Sequence, residues 1–137
     1  HLSIQSIDVS HCEHTKGCLL SIDGEKSIAF SGDHGYNKDY FADVFQNCDL
    51  LIHEATFPVY VRERIGDITN HCYLDEAIST AISMNPRITC LTHFSQRYNK
   101  DDLLYRPADN IMLAFDFLEF TSENALDVFT NCSKKLK

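Results

Sequence analysis

Tryptophan is absent from this 137-residue sequence, and methionine, proline and glycine are scarce at two, three and five residues. So little proline and glycine excludes a collagen-like or linker-dominated chain. No apolar run approaches the roughly 20 residues of a membrane-spanning helix, and no leader pattern opens the chain. Positive charge is also short: 12 Lys and Arg face 20 Asp and Glu, for a net charge of -8. This balance excludes a surface that grips nucleic acid all over. It leaves room for an acidic metal site acting on nucleic acid, because a bound cation reverses the local sign. The six cysteines (Cys12, Cys18, Cys48, Cys72, Cys90 and Cys132) include no CxxC pair and no tight spacing. That argues against a disulfide framework and for free thiols in a reducing compartment, with Cys18, Cys48 and Cys90 as small buried hydrophobes.

What is present suffices for one domain with a real core. Leu2 to Val9 reads as a strand whose alternation slips between Ile4 and Ile7, as at a bulge. Leu19 to Ile22, the turn pair Asp23-Gly24 and Ser27 to Phe30 predict an antiparallel hairpin. Asp39 to Gln46 places Tyr40, Phe41, Val44 and Phe45 on one helical face, and Leu50 to Ile52 is a buried strand running into His53-Glu54. Pro58 to Ile65 predicts a short helix. Leu74, Ala77, Ile78, Ala81 and Ile82 fall at helical spacing before Asn85-Pro86. Ile88 to Leu91 is a further buried strand, Ile111 to Phe120 another, and a capped helix follows from Ser122. Helices alternating with buried strands indicate an α/β layer.

The chemistry gathers where strands end. Ser27 to Phe30 runs into Ser31-Gly32 and delivers a lone carboxylate, Asp33, to the sheet edge; His11, His53 and His93 also follow apolar strands, and His71 precedes a helix. Strand ends in layered α/β folds gather at one edge, so distant residues can converge there. Imidazoles with one carboxylate are a ligand set that suits zinc, and an Asp can bridge two ions. His14 and His34 fit this pattern less well.

These residues also carry a family resemblance. SHCEHTKGCL (10–19), SGD (31–33), LLIHEAT (50–56), Asn70-His71 with Glu76-Ala77, and LTHFSQRYNK (91–100) resemble, in order and spacing, the C-terminal half of tRNase Z. The likeness is closest to the long eukaryotic form and spans about Ile7 to Phe120. It implies an α/β fold, the C-terminal half of a metallo-β-lactamase αββα sandwich over residues 1–120, with a helical tail at 121–137. It implies an intracellular endoribonuclease of the nucleus, the mitochondrion or both, with the cytoplasm as an alternative, that removes the 3′ trailer from precursor tRNA. His11, Asp33 and His93 would be ligands of two zinc ions, with Asp33 as the bridge. His71 would protonate the leaving oxygen and Glu54 would orient it, while His53 would be a supporting residue and Arg97 would pair with a phosphate or, more blandly, a carboxylate.

The family's His-x-His-x-Asp-His signature, which supplies the remaining ligands, does not occur in these residues. A chain opening on His1 with half a site is therefore expected to work with an N-terminal half, as part of one longer enzyme or as a partner chain. The family usually has Thr where this chain has His34, and Ser-Thr where it has Cys72-Tyr73. Those departures keep two other readings open: a non-catalytic scaffold or assembly subunit of the same fold, and a relative acting on another phosphodiester.

Overall fold

The computed structural model describes residues 1–36, 40–65, 70–102, 107–121 and 124. Among them, six strands form a single sheet in chain order: β1 (Leu2–Asp8), β2 (Lys16–Ile22), β3 (Lys26–Phe30), β4 (Leu50–Glu54), β5 (Ile88–Thr92) and β6 (Ile111–Leu113). The first three pair antiparallel, and β3 to β6 run parallel. The β2–β3 hairpin turns where expected, with Asp23 and Gly24 at φ 53° and 73°, a left-handed pair suited to the strand twist.

Among the described residues three α-helices accompany the sheet: α1 (Tyr40–Val44), α2 (Arg62–Ile65), entered through a 3-10 turn at Val59–Val61, and α3 (Leu74–Met84). Glu76 accepts the Tyr73 N–H at 2.9 Å to open α3, and Asn85 closes it in the left-handed region before Pro86 stops the chain. Phe41 and Phe45 join Ala77, Ala81 and Met84 over Leu51, Leu91 and Ile111, building the core on one face of the sheet. The buried stripe of α3 centres on Ala77, Ala81 and Met84, so Ile82 is rotated outward and is 69% exposed.

Three expectations are corrected. β1 pairs with β2 in unbroken register from Leu2↔Ile22 to Asp8↔Lys16, so there is no bulge; Ile4 and Ile7 simply face opposite sides of the sheet. The strand expected over 111–120 ends at Leu113. There the Ala114 N–H donates a last ladder bond to the Leu91 carbonyl (2.7 Å), and a turn closed by Leu118 N–H to Phe115 O passes through Phe117 at φ 64°. The strand expected to stop at Ile52 continues through His53 and Glu54, which pair with Leu91 and Thr92. The helical tail expected at 121–137 lies almost wholly outside the described residues.

The sheet's second face is covered unevenly. Ile88, Cys90 and Met112 pack beneath Ala114, Leu118 and Phe120. Over β1 to β3 the same face is open, leaving Leu2, Ile4, Ile22 and Phe30 exposed. One sheet with its core on one face is half of the layered sandwich expected. No helix among the described residues is long and apolar enough to cross a membrane.

Candidate metal and catalytic centre

Chain direction brings the site together. β3, β4 and β5 are parallel, and β1, antiparallel to β2, points the same way, so all four strands finish at one edge. His11 lies in the turn after β1, Asp33 follows β3, Glu54 ends β4 and His93 follows β5. His71 arrives from the segment before α3. Gly32 makes the delivery of Asp33 possible. It sits at φ 63°, and a Cβ there would stand 2.6 Å from the Lys16 carbonyl oxygen, so no other residue fits without displacement.

Glu54 is the hub. Its side chain is 2% exposed, yet both oxygens are fully engaged. Oε1 accepts the His71 Nδ1–H at 2.7 Å and the His34 backbone N–H at 2.8 Å. Oε2 accepts the Thr56 hydroxyl at 2.5 Å, the Thr56 N–H at 3.2 Å and the Cys72 N–H at 3.1 Å. A buried carboxylate held by so many donors is fixed in position.

Each edge histidine has its Nδ1 committed. His71 gives Nδ1–H to Glu54; His93 gives it to the Thr56 hydroxyl at 2.7 Å, which passes its own hydrogen to Glu54; His11 gives it to the Asn70 carbonyl at 2.9 Å. Every such bond fixes the ring and leaves the opposite nitrogen, Nε2, pointing away from that partner, the arrangement that orients metal-binding imidazoles. The His93 Nε2 lies 3.7 Å from Asp33 Oδ2. Ligand atoms of His11, Asp33 and His71 fall within 4.8 Å of one another, as do those of Glu54, His71 and His93. The rings of His11 and His93 sit 4.6 and 5.3 Å from that of His71. Imidazole nitrogens and one half-exposed carboxylate on pre-aimed side chains fit zinc in type and spacing. His11, Asp33 and His93 alone do not complete the coordination of two ions.

The remaining expected residues stand apart. His53 is fully buried on the helix side of the sheet, its ring 5.9 Å from that of Phe41, and burial pushes its pKa down to about 3. The Arg97 guanidinium lies 5.5 Å over Phe57, whose ring is in turn 6.0 Å from His71, and among the described residues no ion pair of Arg97 with a carboxylate is found. It is exposed beside the site. Thr56 and Asn70 escaped the reading of the sequence. Asn70 clamps the His11 turn twice, its Nδ2 also donating to the His11 carbonyl at 3.0 Å, and takes φ 47° to do so. Their only sequence signal is adjacency: Thr56 closes the HEAT run and Asn70 precedes His71.

A scan against protein-family models finds no match. Sequence relatives are clear. The chain is 34% identical over 129 residues to a fruit-fly (Drosophila melanogaster) protein named mitochondrial ribonuclease Z, covering 89% of this chain and 17% of that protein. It is 33% identical over 117 residues to the human protein named zinc phosphodiesterase ELAC protein 2, covering 84% and 14%. Among solved structures, the long-form RNase Z from yeast superposes with a TM-score of 0.80 at 29% identity, over 97% of this chain and 19% of that one. The metallo-β-lactamase fold protein YhfI from Bacillus subtilis superposes at 0.69 with 22% identity, over 82% and 46%. The chain thus spans about a sixth of the length of the curated relatives it matches.

Proposed function

The chain belongs to the ribonuclease Z family of metallo-β-lactamase-fold proteins, and on that premise we propose that it is the C-terminal part of a zinc-dependent endoribonuclease that removes the 3′ trailer from precursor tRNA. It works with an N-terminal half that carries the His-x-His-x-Asp-His motif, either in the same protein or on a partner chain. The observation that carries this reading is the Glu54–His71 pair at 2.7 Å, set beside Asp33, His11 and His93.

His11, Asp33 and His93 would hold the metal. Zinc bound there supplies a Lewis acid and a water of lowered pKa. The rest is the work of this chain's own atoms. His71, with Nδ1–H fixed on Glu54, carries at Nε2 the proton passed to the departing 3′ oxygen. Glu54 is a positioning residue: it fixes the ring's tautomer and angle and touches no substrate. Arg97, exposed next to Phe57, is placed to meet an RNA phosphate. A nuclear or mitochondrial compartment is part of the same proposal, since one relative is named mitochondrial.

The departures at His34 and Cys72 leave this reading intact. Both residues hold Glu54 through backbone N–H groups, which any side chain would supply. A scaffold has no physical need for a carboxylate buried under so many donors. The test is zinc content and precursor-tRNA cleavage by the full-length protein, with and without Asp33→Ala and His71→Ala. Zinc lost in the first variant, and cleavage reduced about 10²- to 10⁴-fold with zinc retained in the second, is the expected pattern. Absence of zinc from the intact protein would leave the scaffold reading; zinc with cleavage of simple phosphodiesters but not of tRNA would favour another phosphodiesterase.

A further inference from the structure

We propose that His34, His53 and Cys72 form a separate, buried site for a single zinc-class cation, beneath the catalytic edge and on the helix side of the sheet. The three side chains are all buried, and a ligand atom from each lies within 4.8 Å of the others. The rings of His34 and His53 meet edge to face at 5.0 Å, and the Cys72 sulfur is 4.0 Å from His34 Nδ1. A tetrahedral ion with bonds of about 2.0 Å to nitrogen and 2.3 Å to sulfur holds its ligand atoms roughly 3.3–3.8 Å apart, so the two Nε2 atoms and the sulfur would draw together on binding.

Hydrogen bonding points the same way. His34 Nδ1–H donates to the Gly35 carbonyl at 2.8 Å and His53 Nδ1–H to the Glu54 carbonyl at 2.5 Å. Each bond fixes the neutral tautomer whose lone pair is on Nε2. Both Nε2 atoms are buried with no hydrogen-bond partner. An orphaned buried acceptor is costly, and here two stand on rings whose centroids are 5.0 Å apart. The edge histidines of the catalytic centre use the same device, a carbonyl or hydroxyl behind Nδ1 that aims Nε2 at a cation.

The sulfur completes the set. Cys72 is fully buried, and its thiol donates to the His34 carbonyl at 3.2 Å, so the sulfur and that oxygen border the same space. Among the described cysteines it alone belongs to such a cluster. Phe41, 5.5 Å from the His34 ring, walls the site from the core. Binding would release the thiol proton to solvent and leave a thiolate with two neutral imidazoles, a nitrogen and sulfur donor set that selects zinc-like ions over calcium or magnesium. Neither His34 nor Cys72 is the residue the family pattern leads one to expect, so the site is a property of this chain. It does not rest on the tRNA-processing reading.

The test uses the full-length, metal-stripped protein and cobalt(II), which takes zinc's place and reports a thiolate ligand by a sulfur-to-metal charge-transfer band. The band is expected in the unmodified protein and in Asp33→Ala, which disables the edge site, and in Cys12→Ser, which removes an exposed thiol. It should vanish in Cys72→Ser. Should that variant fail to fold, zinc-edge X-ray absorption on the unmodified, zinc-loaded protein decides, with a sulfur neighbour at about 2.3 Å expected. No charge-transfer band and only nitrogen or oxygen neighbours would overturn the proposal, as would a band that survives Cys72→Ser or disappears with Cys12→Ser.

Discussion

Thr56 shows how much one hydroxyl can carry. It accepts from His93 and donates to Glu54, so it couples an expected metal ligand to the carboxylate behind the expected proton donor. Thr56→Val keeps the shape and removes the link. Loss of such an outer partner costs about 10- to 100-fold in metal affinity, and zinc competition with a chelator should show that drop while the fold persists. Glu54→Gln tests the other end. An amide cannot accept from all five donors, so His71 loses its anchor, and kcat on precursor tRNA should fall about 10- to 100-fold with little change in KM. An equal loss in KM would mean that Glu54 shapes substrate binding instead.

At the scale of elements, the turn from β3 into Asp33 is the most constrained joint. Gly32→Ala must place a methyl group against the Lys16 carbonyl at 2.6 Å in a left-handed conformation. A destabilisation of about 1–3 kcal/mol is expected, read as a lower urea midpoint, together with weaker zinc binding because Asp33 shifts. Gly24, also left-handed at φ 73°, has open space around it, so Gly24→Ala should cost only the conformational strain of about 1 kcal/mol. The contrast separates crowding from backbone preference.

The whole molecule has one covered sheet face and one partly open, and both make predictions. In the core, burial pushes Cys48 and Cys90 up to about 11 from 9.0. Above pH 9 the unfolded chain gives up these protons while the folded chain holds them, so the unfolded state binds fewer protons and stability falls as pH rises from 9 toward 11. Urea melts across that range should show the decline, and Cys48→Ala with Cys90→Ala should make it shallower, leaving the part that buried Cys72 and Tyr98, whose pKa values burial also raises, contribute. On the open face, Ile4 and Phe30 are 67% and 45% exposed and share a side with Leu20 and Ile28. If this is where the N-terminal half packs, Ile4→Lys with Phe30→Glu should abolish association of separately expressed halves, measured by sedimentation, with little change in the secondary structure of this chain.

The local chemistry of the chain was enough to place most elements and to gather the candidate site residues at one edge. Alternation marks the strands, Asp23-Gly24 and Asn85-Pro86 mark a turn and a helix end, and strand direction gathers His11, Asp33 and His93 at one edge because parallel strands must finish on the same side. The extent of β6 was not legible, since an edge strand paired on one side stops where its ladder bonds stop rather than where its apolar residues do. Tertiary structure alone decided the supporting shell. Thr56 reaches His93 across 37 positions, Asn70 reaches His11 across 59, and His34 and Cys72 reach Glu54 across 20 and 18, and no local periodicity encodes those distances. It also decided which side of β4 each residue takes: Glu54 engages the edge centre while His53, one residue earlier on the opposite face, is buried under Phe41.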